Sequence, residues 1–195
     1  MRTLPIIVGF AVTAFAGLAQ AEGLKTLPLP GLWENEAQVL INGKDINATM
    51  QQAQAAMMQN MEPEQRKQME AMMKAQGDPN KSLECLTAKD IAEMADPRKA
   101  LARADKESDC KIDVVSTSAD TAKFKMSCAT PDGFTGEGAG EYKVIDAKHT
   151  SFSWKGRGKM PGSATVIESS TNSKSRWISA DCGDVKPSDE ESSED

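Results

Sequence analysis

Residues 111–155 read KIDVVSTSADTAKFKMSCATPDGFTGEGAGEYKVIDAKHTSFSWK. Ile112 and Val114 alternate with Lys111 and Asp113, and Phe124 and Met126 alternate with Lys123 and Lys125. A period of two marks a strand with one apolar face. The two segments reflect about Ala119, which places both apolar sets on the same face of a hairpin. Thr130 to Gly133 is a turn by composition. From Phe134 to Ile145, Gly136, Gly138 and Gly140 fall on the parity of Tyr142 and Val144. Glycines in that row leave room for a Phe or Trp from a neighbouring strand. Thr150, Phe152 and Trp154 then alternate with Ser151, Ser153 and Lys155. Gly156 to Gly162 reads as a loop, and Ala164–Thr171 and Lys174–Ala180 read as two closing strands.

Upstream, Trp33, Ala37, Val39 and Ile41 oppose Glu34, Glu36 and Gln38, which predicts a half-buried strand after a Pro-rich lead-in at Leu24–Pro30. Asn42-Gly43 supplies the positive backbone angles of a tight hairpin turn, with Lys44–Asn47 returning. Ala48–Gln76 is rich in Gln, Met, Ala, Glu and Lys and predicts helix. Proline is tolerated at the first helical position but breaks a helix interior, so Pro63 splits the stretch into two helices meeting near Glu62. Gly77, Asp78 and Pro79 end the second. Ser82–Leu86 suits a short strand. Thr87 with Asp90 resembles a capping box opening a helix to about Met94, and Asp96-Pro97 starts another to about Ala104. About eight strands with short connections predict a mainly β fold, an antiparallel meander or barrel-like sheet with a helical insertion.

The chain of 195 residues has room for one domain. After residue 21 it contains 24 Leu, Ile, Val and Phe residues, a thin supply for a core. Met1, Arg2 and Thr3, an apolar run from Leu4 to Leu18, and the small-residue pattern Ala19-Gln20-Ala21 have the form of a cleavable signal peptide, with cleavage expected after Ala21. The mature protein is therefore expected in the periplasm or secreted, with a single β-rich domain over 22–187 and an acidic, disordered tail at 188–195. The formal net charge is −6, and the last eight residues carry five of the negative charges. A nearly balanced body gives no basic footprint for nucleic acid. No later run is long and apolar enough to span a membrane.

Four cysteines in an exported chain, Cys85, Cys110, Cys128 and Cys182, predict two disulfides. Their spacing and the single histidine, His149, argue against zinc. Counting strands up and down places all four at one end of the sheet. The preferred pairing is Cys85 with Cys110 and Cys128 with Cys182; the rival joins Cys110 to Cys128 across the hairpin.

No catalytic constellation emerges. His149 opens a strand at a turn and is expected to be a solvated surface residue, and Gly136–Gly140 is followed by a strand rather than the helix a phosphate loop requires. A non-enzymatic protein without a cofactor is expected. Trp33, Phe124, Met126, Tyr142, Phe152 and Trp154 are the residues that would line a small apolar ligand if the sheet enclosed one, and the same residues suit a filled core. Met57, Met58 and Met61, then Met69, Met72 and Met73, lie at helical spacing. Such a stripe packs against a sheet or an envelope protein partner, and its thioethers are also a Cu(I)-type ligand set.

Pro30-Gly31-Leu32-Trp33-Glu34, Cys85-Leu86-Thr87 at a helix start, Cys110-Lys111, Cys128, the Gly136 and Gly138 pair, and Asp181-Cys182-Gly183-Asp184 together resemble a bacterial exported family, domain of unknown function 3617, over roughly Leu29–Val185. The resemblance implies a secreted or periplasmic protein of a Gram-negative bacterium with no assigned activity, and it supplies no catalytic residues.

Overall fold

The computed structural model describes residues 23–101, 110–131 and 133–187. The expected signal peptide and acidic tail lie outside these residues. β1 (Gly31–Ile41) turns at Asn42 and Gly43, with φ of 49° and 76°, and pairs through Leu40 and Ile41 with β2 (Lys44–Asp45). The return is shorter than the sequence suggests because Asp45 becomes a helix cap. Its carboxylate accepts the Ala48 N–H at 2.9 Å, and α1 (Ile46–Gln59) starts at once. α2 (Pro63–Gln76) follows with Pro63 in its first turn, as the splitting argument requires. β3 (Lys81–Leu86) leads to α3 (Ala88–Met94), whose start is the Thr87–Asp90 capping box. Residues 97–101 are helical, and the remainder of that expected helix lies outside the described residues.

β4 (Cys110–Thr117), β5 (Thr121–Ala129), β6 (Thr135–Asp146), β7 (His149–Lys159) and β8 (Val166–Ser179) form a continuous antiparallel meander, and β8 returns to β1. Ile112 faces Met126 and Val114 faces Phe124, the register that reflection about Ala119 demands. The sheet order is β2-β1-β8-β7-β6-β5-β4, with β3 alongside β2 on the free edge of β1. No pairing joins β4 to β3 or β2, so the sheet is an open meander and not a barrel.

Two expected boundaries are overturned. The segment read as a loop from Gly156 stays in β7 as far as Lys159, because Gly156 and Gly158 pair with Gly138 and Gly136 beneath aromatic rings. The two closing strands are one, β8, uninterrupted through Thr171, Asn172 and Ser173.

That merger changes the cysteines. The disulfides are Cys85–Cys182 and Cys110–Cys128. The preferred pairing is therefore wrong and the rival link across the hairpin is present. Counting one strand too many reversed the direction of the last, and the passage from β3 to β4 carries the chain from one edge of the sheet to the other. Cys85 and Cys182 consequently lie at the end where β1 starts and β8 stops, whereas Cys110 and Cys128 lie at the opposite end.

The sealed core sits at the former end. Trp33 is 1% exposed and packs with Leu86 and Ile91. Leu24, Ala122 and Val144 make a second cluster, to which Leu24 comes from the lead-in. The lead-in is pinned by Leu24 N–H to Ala95 O at 3.0 Å and by Lys25 and Thr26 N–H to Ala119 O at 2.8 Å each.

By chain-entropy scaling, the link spanning 97 residues stabilises by about 4.7 kcal/mol and the one spanning 18 by about 3 kcal/mol. Cys85→Ser with Cys182→Ser should therefore lower the urea midpoint more than Cys110→Ser with Cys128→Ser, and peptide mapping without reductant should recover these two cross-links. A second expectation concerns acid. Glu34 on β1 accepts from Arg176 Nε of β8 at 3.0 Å and lies 3.6 Å from Lys81 of β3. The Arg176 hydrogen bond holds its carboxyl below the ordinary 4.5. A carboxyl depressed on folding contributes stability that is complete above its unfolded value and fades as pH falls through the lower folded one. Glu34→Gln should thus flatten the loss of stability below pH 4.5, measured by urea titration across pH.

Candidate functional site

Cross-strand pairing decides which side chains share a face. Phe124 pairs with Gly140, Gly140 with Trp154, and Trp154 with Thr171 of β8, whose partner on β1 is Val39. Met126 sits in the next row, against Gly138 and Gly156; Ala122, Tyr142, Phe152, Ser173 and Ala37 fill the row on the other side. One face of the meander therefore collects the aromatic residues, and the opposite face collects the charges.

The glycines make this face possible. A Cβ on Gly138 would collide with the Trp154 ring, one on Gly140 with Phe124, and one on Gly136 would stand 2.9 Å from Phe134 Cζ. Rings therefore lie down over the backbone. Phe124 stacks with Trp154 at a centroid distance of 6.0 Å and 14° between planes, and with Phe152 at 6.0 Å and 21°. Phe124, Met126, Phe152 and Trp154 all stay half-buried, unlike the sealed Trp33.

Six residues were expected on a lining. Phe124, Met126, Phe152 and Trp154 form this strip; Trp33 is sealed in one buried cluster, and Tyr142, half-buried beside Phe152, packs against the other. Burial raises the Tyr142 phenol above its ordinary value, in keeping with a structural position. Because the sheet is open, the strip is a surface rather than the wall of an enclosed cavity.

Sequence reasoning missed the neighbour of the strip. Ser169, Thr171, Ser173 and Ser175 of β8 share its face, opposite Gly156, Trp154, Phe152 and Thr150. The stretch carries polar residues on both parities, so no alternation betrays which row faces inward. The indoles also differ. Trp33 Nε1 donates to Leu29 O at 2.9 Å and Trp177 Nε1 to Pro30 O at 3.1 Å. Trp154 Nε1 has no hydrogen-bond partner among the described residues.

The reverse face holds Lys111 with Asp113 at 3.1 Å, Lys123 with Glu141 at 3.2 Å, and Arg157 Nε with Glu137 at 2.7 Å. A trough of about 790 Å³ on that side includes Lys125, Lys155, Arg157 and Glu168 in its walls. Its charges are mixed and largely exposed, so it selects no ligand sign. His149 is exposed at the β6–β7 turn, with Nδ1 2.9 Å from Asp146 Oδ2.

Of the methionines, Met57 and Met72 are exposed, at 60% and 55%, and Met58, Met61, Met69 and Met73 are half-buried. The two triplets occupy separate helices. α1 buries no residue; it packs on β1 and β2, is tied to the residues before β3 by Asn47 Nδ2 donating to Asn80 Oδ1 at 2.7 Å, and is joined to α2 by Arg66 Nε donating to Met58 O at 3.0 Å, so the pair forms an arm on the edge of the sheet. Among the described residues no His, Cys, Asp or Glu grouping suited to a metal is present, and no helix is long and apolar enough to cross a membrane.

Fold and strip together define an open antiparallel β-meander, stapled by two disulfides and bearing a methionine-rich helical arm. A family model described as a protein of unknown function, DUF3617, matches residues 28–182, and the chain belongs to that family. Neither the curated proteins nor the solved structures yield a match.

Gly138→Ala tests the strip directly. The added methyl forces Trp154 off its seat, and overpacking of this kind costs about 1–3 kcal/mol. The near-ultraviolet circular dichroism of the indole should weaken while the far-ultraviolet sheet signal persists.

Proposed function

We propose that the protein is a non-enzymatic binding module of the bacterial cell envelope, periplasmic or secreted, and that the strip of Phe124, Met126, Phe152 and Trp154 is where a small ligand lies. The observation that carries this reading is the unequal use of aromatic residues. The structure has a sealed core elsewhere, yet a set of nearly parallel rings is held half-open on a floor of glycines. Rings kept flat by backbone contacts need no reorganisation to receive a ligand, which limits the entropy lost on binding. The apolar leader and the two disulfides support an oxidising, exported setting. The arm offers a movable thioether face for an envelope protein partner.

A reading from another class rests on the same arm. Three thioethers on each of two helices, with Met57 and Met72 open to solvent, suit Cu(I). The two separate cleanly in solution. The fluorescent apolar probe N-phenyl-1-naphthylamine should bind saturably and lose about tenfold in affinity with Trp154→Ala, whereas Met57→Gln with Met72→Gln should leave it unchanged. Probe binding that ignores Trp154 defeats the strip reading. Transfer of Cu(I) from a micromolar chelator that those methionine substitutions abolish establishes the metal reading.

A further inference from the structure

β8 is a central strand, flanked by β1 and β7, and central strands ordinarily turn apolar side chains to the covered face. Here the row between Ile167 and Trp177 on the aromatic face is Ser169, Thr171, Ser173 and Ser175. Four half-buried hydroxyls therefore stand one strand away from the stacked rings, at the spacing of alternate strand residues, about 6.8 Å. Among the described residues none of them has a side-chain hydrogen-bond partner, and the Trp154 indole N–H, which lies over Gly156 on the adjacent strand β7, has none either. No charged side chain shares this face from β4 across to β1.

Resting on the strip as the ligand surface, we infer that its ligand is a neutral saccharide chain. The chemistry matches on each count. A pyranose ring has an apolar C–H face, and its weakly positive hydrogens meet the negative face of an aromatic ring. Its hydroxyl rim projects sideways, where the β8 row both donates and accepts and Trp154 Nε1 donates. A purely aliphatic ligand would press hydrocarbon against the same hydroxyls and leave them unpaired, which disfavours it. An anionic or cationic ligand would find no counter-charge on the strands beneath the rings; the charges on this face stand beyond β1, Lys44 of β2 opposite Ile41 and Glu84 of β3 opposite Trp33, where Glu84 already accepts from Asn35 Nδ2 at 2.9 Å. Rings 6.0 Å apart and nearly parallel suit consecutive sugars of an extended chain better than one compact molecule.

Cellohexaose and chitohexaose are suitable probes, followed on the intact mature protein through the three indole N–H resonances. The indoles of Trp33 and Trp177 are tied to backbone carbonyls, so saturable shifts should be confined to Trp154. Thr171→Val with Ser173→Ala should weaken saccharide binding about fivefold or more, each lost hydrogen bond contributing a factor of a few, with binding of N-phenyl-1-naphthylamine retained. Trp154→Ala should weaken both about tenfold, read by titration calorimetry because that variant lacks the reporting indole. If the naphthylamine binds in a Trp154-dependent way and neither hexasaccharide shifts any indole, the saccharide assignment is wrong while the strip stands as an apolar ligand surface. If no probe binds, both fall. Saccharide binding indifferent to Thr171→Val with Ser173→Ala also overturns the inference.

Discussion

Aromatic rings lying flat on glycine are the contact from which the rest of this architecture follows. Gly136, Gly138 and Gly140 of β6, with Gly156 and Gly158 of β7, remove five side chains from one face of the sheet centre. Trp154, Phe124 and Phe134 occupy the space so cleared. Glycine weakens a strand through its entropy and its missing side chain, and ring-to-backbone contact offsets that loss. The arrangement lets a chain with few aliphatic residues order a wide sheet, because each aromatic side chain covers two strands rather than standing into a core.

The cost of this economy appears at the margins. Apart from Cys128 at the opposite end, sealed apolar burial among the described residues gathers where Trp33, Leu86, Ile91, Leu24, Ala122 and Val144 meet, and there the lead-in and α3 supply the cover. Covalent links hold what packing does not. Cys110–Cys128 ties the edge strand β4 to β5, and Cys85–Cys182 ties the segment after β8 to β3. The sheet is thus fixed at both ends and both edges, and its aromatic centre is left half-open.

Much of this was legible in residue order because local rules act over a few positions. The mirror about Ala119 gave the β4–β5 register, Asn42-Gly43 the first hairpin, Pro63 the helix break, and Thr87 with Asp90 the start of α3. Failures came where a decision depends on distant partners. Gly156 and Gly158 look like a loop until Gly138 and Gly136 lie beside them. Thr171-Asn172-Ser173 looks like a break until β1 and β7 enclose it on both sides. The disulfide pairing inherited that single error, since one extra strand reverses an end of the sheet. Of the six aromatic and methionine positions singled out, four share the strip, whereas the sealed place of Trp33 and the packing of half-buried Tyr142 depend on α3 and the lead-in folding back over them.

The seating of Trp154 on Gly138 is measurable without any ligand. A proton beneath an indole face is shielded by the ring current, so the Gly138 Hα resonances in the nuclear magnetic resonance spectrum of the oxidised protein should lie well upfield of ordinary glycine values, with cross-relaxation to the Trp154 ring. Gly138 Hα shifts at ordinary strand values, with no such cross-relaxation, would contradict the account, because the floor on which the rings rest would then be missing.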